Sequence, residues 1–373
     1  MRGVYLSPNV SHNPGINQKV LNQVEAFKET GADICLIMDN RSGKLKKLQT
    51  AMPIFSKQFD RFFPKKLNNY DFVYIRKPYY FDFDFIRKLS TVKKSGTQII
   101  LEIPTYPYDS EFKHKILMFP TVLKDKLSRK MLKRYVSRIV TFSDDEEIFG
   151  IKTIQTFNAF DFKSTNLSKK VNYSSKMEIT LIAVANIENW HGYDRLIIGL
   201  SEYYLNKKDD DPDFKIFIVG GGNKKIIQLY KKMIFDNDLT DRIILTDKKT
   251  GKELDELFSS ADIGVDSLGR HRSKVYYNSS LKGKEYLGRG LPIISGVETE
   301  LDNPKYNFPY YMRVSADDSP INFKDIILFF EKIHDNKNAY SIKKFGEENF
   351  SFKASVKPVI DYLKENEGKH SYE

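Results

Sequence analysis

Residues 279–294 read Ser-Ser-Leu-Lys-Gly-Lys-Glu-Tyr-Leu-Gly-Arg-Gly-Leu-Pro-Ile-Ile. The spacing predicts a short helix beginning near Gly283 and ending at Gly290, whose lack of a Cβ suits a left-handed C-terminal cap. A buried strand, 292–295, follows at once. Lys282 then stands at the helix N-terminus, where the dipole offers a cation no stabilisation. A bound phosphate would supply the reason, because the lysine and the unpaired backbone N–H groups both favour it. Ser280 lies just before this terminus. Glu285, one turn further, is placed to accept hydrogen bonds from a pair of ribose hydroxyls. A solvated charged turn fits the same residues.

Outward from this segment, strands and helices alternate. Upstream lie strand 179–184, helix 193–204 and strand 214–219, which runs into Gly220-Gly221-Gly222. Helix 225–235, strand 242–245, helix 252–260 and strand 263–265 follow, with helices 325–334 and 352–364 downstream. The first half repeats the pattern with strands at 3–6, 34–38, 72–75, 98–103, 139–141 and 153–156. Its helices are one carrying Val20, Leu21, Val24 and Phe27 and closing at Gly31, and another at 85–94. Such alternation predicts an α/β fold of two Rossmann-like, doubly wound parallel-sheet domains. The polar, Ser- and Lys-rich stretch 161–176 reads as the linker. The expected domains are 1–165 and 172–349, with the final helix, 350–373, packing back on the first. A ligand crevice is expected outside the carboxyl ends of the strands, in the cleft between the domains.

Composition bounds the partners. In 373 residues, 60 Lys and Arg outnumber 49 Asp and Glu, for a net charge of +11. The surface therefore favours anions. No nucleic-acid-binding module is recognisable, and the aromatics are scattered through the core pattern instead of being clustered for stacking. The single cysteine, Cys35, excludes an internal disulfide framework and, within the apolar stretch 33–38, reads as a buried inert thiol. The apolar run at the N-terminus is too short for a signal peptide, and no apolar window approaches membrane-spanning length. A cytoplasmic protein, attached peripherally to the inner face of the plasma membrane or not at all, is expected.

Other segments could carry chemistry. The loop 7–17 contains Gly15 ahead of a helix, as a ligand-approaching turn or an ordinary one would. Gly221 and Gly222 could let a base, ribose or phosphate lie against bare backbone. The stretch 101–111 places Glu102, Tyr106, Tyr108 and Asp109 at the end of a strand. The loop 269–274 holds Arg270, His271, Arg272 and Lys274, and which arginine points inward is open. Residues 113–138, from Lys113 to Arg138, hold nine Lys and Arg against one acid, Asp125, with apolar residues interleaved. That combination suits an anionic membrane surface, and the stretch 60–66 could extend it.

The segment Leu281–Pro292 resembles the donor site of retaining glycosyltransferases of the GT-B fold, in particular family 4-like bacterial enzymes with an LK-x-x-EY-x-x-x-G-x-P signature. Other stretches resemble that family in order: Pro14-Gly15-Ile16, Thr156–Asp161, Trp190–Ile197, Val219–Gly222 and Ser260–Ile263. The resemblance implies a sugar transferred from a nucleotide-sugar donor to a glycan or lipid-linked oligosaccharide in cell-surface polysaccharide synthesis. It implies retention of configuration, with no metal and no cofactor beyond the nucleotide-sugar substrate. Lys282, His191, Arg272 and Glu102 become the candidate catalytic residues. Gly15, Gly221, Gly222, Ser280, Lys282 and Glu285 become donor contacts, and Tyr106, Tyr108 and Asp109 acceptor contacts. Three positions depart from the family pattern. Asn186 and His191 stand where an Arg and a Lys are usual, and Tyr277 replaces the first glutamate of a spaced pair. These departures motivate an alternative, a catalytically inactive GT-B-like partner or scaffold.

Overall fold

The computed structural model describes residues 1–8, 14–39, 63, 69–108, 119–168, 178–333 and 338–366. Internal contacts divide the chain into two units, Met1–Asn158 with Phe352–Glu373, and Ala159–Ser351. Residues Asp161 to Ser168 of the polar stretch thus belong to the second unit.

The first unit carries β1 (Arg2–Ser7), α1 (Pro14–Glu29), β2 (Asp33–Met38), β3 (Phe72–Arg76), α2 (Phe83–Lys94) and β4 (Gln98–Ile103). After these come α3 (Phe119–Arg129), β5 (Arg138–Thr141), β6 (Glu147–Ile148) and β7 (Ile151–Gln155). Its sheet runs β2-β1-β3-β4-β5-β7-β6, parallel except for the short β6–β7 hairpin. β3 and β4 are buried along their whole length, as parallel strands covered on both faces must be. One face is covered by α2 through Phe85, Ile86, Leu89 and Val92. The other is covered by α1 and by a C-terminal helix, Phe352–Glu365, whose Val356, Val359, Ile360 and Leu363 pack with Val20, Val24 and Phe27.

The second unit holds β8 (Glu178–Val184), α4 (Tyr193–Leu205), β9 (Asp213–Val219), α5 (Lys224–Asp236), β10 (Ile243–Thr246), α6 (Gly251–Ser260) and β11 (Ile263–Val265). It continues with α7 (Leu281–Arg289), β12 (Ile293–Ser295), β13 (Tyr311–Arg313), α8 (Phe323–Ile333) and α9 (Asn338–Phe350). The C-terminal helix that returns to the first unit is α10. The second sheet, β10-β9-β8-β11-β12-β13, is parallel throughout. Strand order reverses between β8 and β11, and in doubly wound sheets ligands bind at that reversal, outside the carboxyl ends.

Two expectations need correction. Cys35 is exposed, with its Sγ 3.6 Å from the Tyr70 hydroxyl. β2 is an edge strand, and alternation turns every second side chain away from the core. Helix α7 begins at Leu281, two residues before Gly283, because Ser280 caps it by accepting the Gly283 N–H.

Gly199 on α4 tests how closely that helix lies on its neighbour. A Cβ there would sit 2.0 Å from the Ile321 carbonyl oxygen. Alanine normally gains about 1 kcal/mol over glycine within a helix. No rotamer relieves a Cβ contact, so Gly199→Ala should instead destabilise the second unit by about 2 kcal/mol. A lower urea midpoint at unchanged slope is the expected result, and a raised midpoint would show that the contact yields.

Candidate functional site

The carboxyl ends of β8 and β11 are joined through α7. Tyr286 is fully buried, and its hydroxyl accepts the Val184 N–H at 3.1 Å and donates to the Val265 carbonyl at 3.0 Å. Its ring lies over Gly264, where a Cβ would approach it to 2.4 Å. Lys282 is one helical turn before Tyr286 and shares its face. Its ammonium therefore reaches Asp266 at 3.3 Å and Ser267 Oγ at 3.0 Å, at the end of β11.

Asp266 is 1% exposed. Burial, the largest single influence, would raise its pKa, but the Lys282 ammonium and hydrogen bonds from Ser280 and the Ser267 N–H together bring the net shift downward. The Lys282 pKa is lowered by burial, and Arg270 adds to that against the opposing pull of Asp266. Lys282 is thus a desolvated cation whose resident partner does not fully compensate it.

The loop after β11 is pinned over the start of α4. The Leu268 N–H donates to the His191 carbonyl at 2.8 Å. Gly192, at φ +64, leaves no room for a Cβ, which would fall 2.6 Å from the Gly269 nitrogen. Beneath the loop, Arg195 is 1% exposed and binds the carbonyls of Leu268, Ser315 and Ser319. Arg272 binds both oxygens of Asp194, at 2.9 and 2.7 Å, and Asp318 at 2.7 Å. His271 also contacts Asp318 at 3.0 Å.

These contacts place two of the expected catalytic cations. Arg272 is held between two carboxylates that raise its pKa, and through them it anchors the loop. His191 is buried, and its Nδ1 accepts the Glu188 N–H at 3.0 Å, leaving the ring proton on Nε2. Burial, with Lys282 and Arg270 nearby, lowers its pKa to about 3. It can donate one hydrogen bond but brings no charge. Arg270 is the inward arginine, with its guanidinium 5.8 Å over the Trp190 ring and its Nε buried without a partner.

The donor candidates sort by what surrounds them. Ser280 is buried as the cap of α7. Glu285 is 28% exposed on its side chain, and burial raises its pKa despite Arg289 at 3.8 Å. Lys284, the other lysine of the segment, is buried against Glu300 and Ser279. Gly220 and Gly222 adopt φ +145 and +144, and a Cβ would strike the carbonyls of Ala185 and Ile187 at 1.8 and 2.2 Å. Packing within the fold therefore explains them, whereas Gly221 has open space around its Cα. A cavity of about 330 Å³ opens beside them, lined by Gly220, Lys231, Leu245, Thr246, Asp247 and Lys249. Gly15 is the exposed second residue of α1. Asn186 is exposed, and Tyr277 pairs with Glu298 in an isolated bridge.

In the first unit, Glu102, expected among the catalytic residues, is fully buried. Tyr74 and Gln23 each donate to Oε2 at 2.7 Å, and Arg76 binds Oε1. Burial would raise its pKa, yet Arg76 and Lys19 bring it down, so it is a sealed carboxylate. Tyr108 is likewise buried, donating to Asp125 at 2.8 Å beneath the Lys77 ammonium. Tyr106 is half-buried against Phe149, and Asp109 lies outside the described residues. Among the described residues, no group of three His, Cys, Asp or Glu is arranged to hold a metal ion, and no helix is long and apolar enough to cross a membrane.

No protein-family model matches the chain, and no curated protein matches it by sequence. Solved structures do. A glycosyltransferase from Rickettsia africae ESF-5 superposes with a TM-score of 0.63 at 14% identity, covering 98% of both chains. Anabaena Alr3699/HepE in complex with UDP gives 0.60 at 13% identity, over 98% of this chain and 100% of that one. An alpha-glucosyltransferase in complex with UDP-glucose and DNA containing an abasic site gives 0.60 at 13%, over 98% and 99%. At such identities the likeness establishes the architecture, two parallel-sheet units of the GT-B type.

His191 makes a measurable pH signature. An unfolded histidine titrates near 6.5, whereas the folded one titrates near 3. Between those values the unfolded chain binds a proton that the native site refuses, so stability falls as pH falls. From pH 7 to 5 this group should cost the wild type about 2 kcal/mol that His191→Gln retains. Denaturant titrations of both proteins at the two pH values check it, and equal losses would contradict a neutral buried ring.

Proposed function

We propose that this chain is a glycosyltransferase that takes its sugar from a nucleoside-diphosphate donor. The observation that carries the reading is Lys282, a desolvated ammonium in the first turn of α7 at the reversal of strand order. Helix dipole and lysine both attract an anion there, and a diphosphate meets both. Glu285, one turn along, accepts the ribose hydroxyls. The cavity beside Gly220 lies at the carboxyl ends of β9 and β10, the same end of the sheet, and its volume would admit part of the nucleoside. As the bond to the sugar breaks, charge grows on the diphosphate, and fixed donors already aimed at it lower the barrier. The neutral His191 adds one Nε2–H to that set. In this reading transfer proceeds with retention and without metal, and the acceptor hydroxyl attacks from the face that the diphosphate leaves.

The acceptor is a glycan or a lipid-linked oligosaccharide of surface polysaccharide synthesis, met at the cytoplasmic face of a membrane. What supports a membrane surface is α3. It turns Thr121, Lys124, Asp125 and Ser128 inward and leaves Phe119, Leu123 and Leu127 exposed, with Lys126, Lys130, Lys133 and Arg134 around them. An apolar stripe amid cations that form no ion pair among the described residues matches anionic lipid, at roughly 1 kcal/mol per basic residue. Leu123→Glu with Leu127→Glu should release the protein from phosphatidylglycerol vesicles in a flotation assay while leaving its melting temperature unchanged. Equal flotation of the two proteins would remove α3 from the reading.

UDP, GDP and dTDP should each be tested by thermal shift, since a bound ligand raises the melting temperature with its concentration. Lys282→Ala should abolish the shift, and Glu285→Ala should weaken affinity by about ten- to a hundredfold, the worth of a charge-assisted hydrogen bond. Unchanged affinity in both variants would sink the site. Binding without transfer to any acceptor would favour the non-catalytic partner, the reading that Asn186, His191 and Tyr277 motivate.

A further inference from the structure

We propose that Arg270 is the second diphosphate-binding cation of this chain and clasps the diphosphate against Lys282. The inference rests on the donor reading above and concerns a residue outside the segment that suggested it.

Of the basic side chains of the loop, Arg272 is taken up by Asp194 and Asp318, His271 touches Asp318, and Lys274 faces solvent. Arg270 differs from these. Among the described residues no carboxylate lies within ion-pair distance of it, and its Nε is buried without a hydrogen-bond partner. A guanidinium in that state has given up water without a protein replacement, which is costly unless an anion arrives. Its place is fixed from both sides. It lies four positions after Asp266, the residue that holds Lys282. The Leu268 N–H to His191 bond, the Gly192–Gly269 contact and the Arg195 and Arg272 clamps immobilise the backbone between them.

The charges at this end of the sheet then leave a net positive charge that favours an anion. Asp266 is one buried acid set against two cations, Lys282 and Arg270, while Arg272 is already compensated and His191 is neutral. The two cations also differ in kind. Lysine is a point charge, whereas the planar fork of arginine can bind two phosphate oxygens at once. A site with one of each suits two linked phosphates better than one. Trp190 lies under the guanidinium, with the ring centroid 5.8 Å from its carbon.

Trp190 is the only tryptophan of the chain, so its emission reports this contact without ambiguity. Titration with UDP should change that emission saturably in the wild type, and inorganic pyrophosphate should do the same. Uridine should not. Arg270→Ala should lose the emission change and bind UDP at least tenfold more weakly by calorimetry, with uridine affinity and melting temperature unaltered. Arg270→Lys, which keeps charge but loses the fork, should recover only part of the affinity. Arg270→Ala binding UDP as the wild type does, while Lys282→Ala does not, would overturn the inference and leave the donor reading standing. A wild type that binds none of UDP, GDP or dTDP would instead overturn the donor reading, and this inference with it.

Discussion

The hydroxyl of Tyr286 joins two strands that are not consecutive in the chain. β8 and β11 meet where the strand order reverses, and that hydroxyl accepts from one strand and donates to the other. The glycine at 264 admits the ring, so α7 can lie only at one depth and one rotation. Everything ahead of Tyr286 on the helix follows by periodicity. Lys282, four residues back, shares its face and meets Asp266. Lys284, two residues back, points elsewhere and is consumed by Glu300. Two lysines two residues apart therefore have unrelated fates, decided by a tyrosine that touches no ligand.

The same constraint explains what could be read without coordinates. Parallel strands buried on both faces appear as short apolar runs, so β1, β4, β8, β9 and β11 are legible from composition and spacing. So is the left-handed cap at Gly290, at φ +74. β13 and α9 are not legible. Each is short or weakly amphipathic and takes its conformation from neighbours, β13 from β12 and α9 from α7. The orientation of α3 is not legible for a related reason: its polar residues are the buried ones, with Asp125 satisfied by Tyr108 and by the Phe81 N–H. Periodicity shows that a helix has two faces but not which one turns inward.

Polar residues at strand ends carry the same ambiguity. Glu102 and Asp266 both follow apolar strands and are both buried. Glu102 gathers Gln23, Tyr74 and Arg76 from 79, 28 and 26 residues away and is saturated. Asp266 faces one lysine at 3.3 Å, and that lysine keeps a lowered pKa even so. The sequence around each acid is uninformative about this difference, because the partners arrive through the fold. A carboxylate with its donors complete is part of the scaffold. One whose partner remains under-compensated belongs to a site.

The departures at 186 and 191 then take on a consistent physical meaning. A lysine at 191 would be buried beside Lys282 and Arg270, and three close cations against one acid would each make the others harder to charge. The histidine avoids this by staying neutral, using Nδ1 to close the turn before α4 and keeping its proton on Nε2. A cation stands instead on the loop after β11, the Arg270 guanidinium 5.8 Å from the centre of the Trp190 ring. That loop is tied to the same turn through the His191 carbonyl and Gly192. On the proposed reading, a cation lies at a different position in the chain but at the same end of the same sheet, so a motif that looks depleted in one dimension would be complete in three.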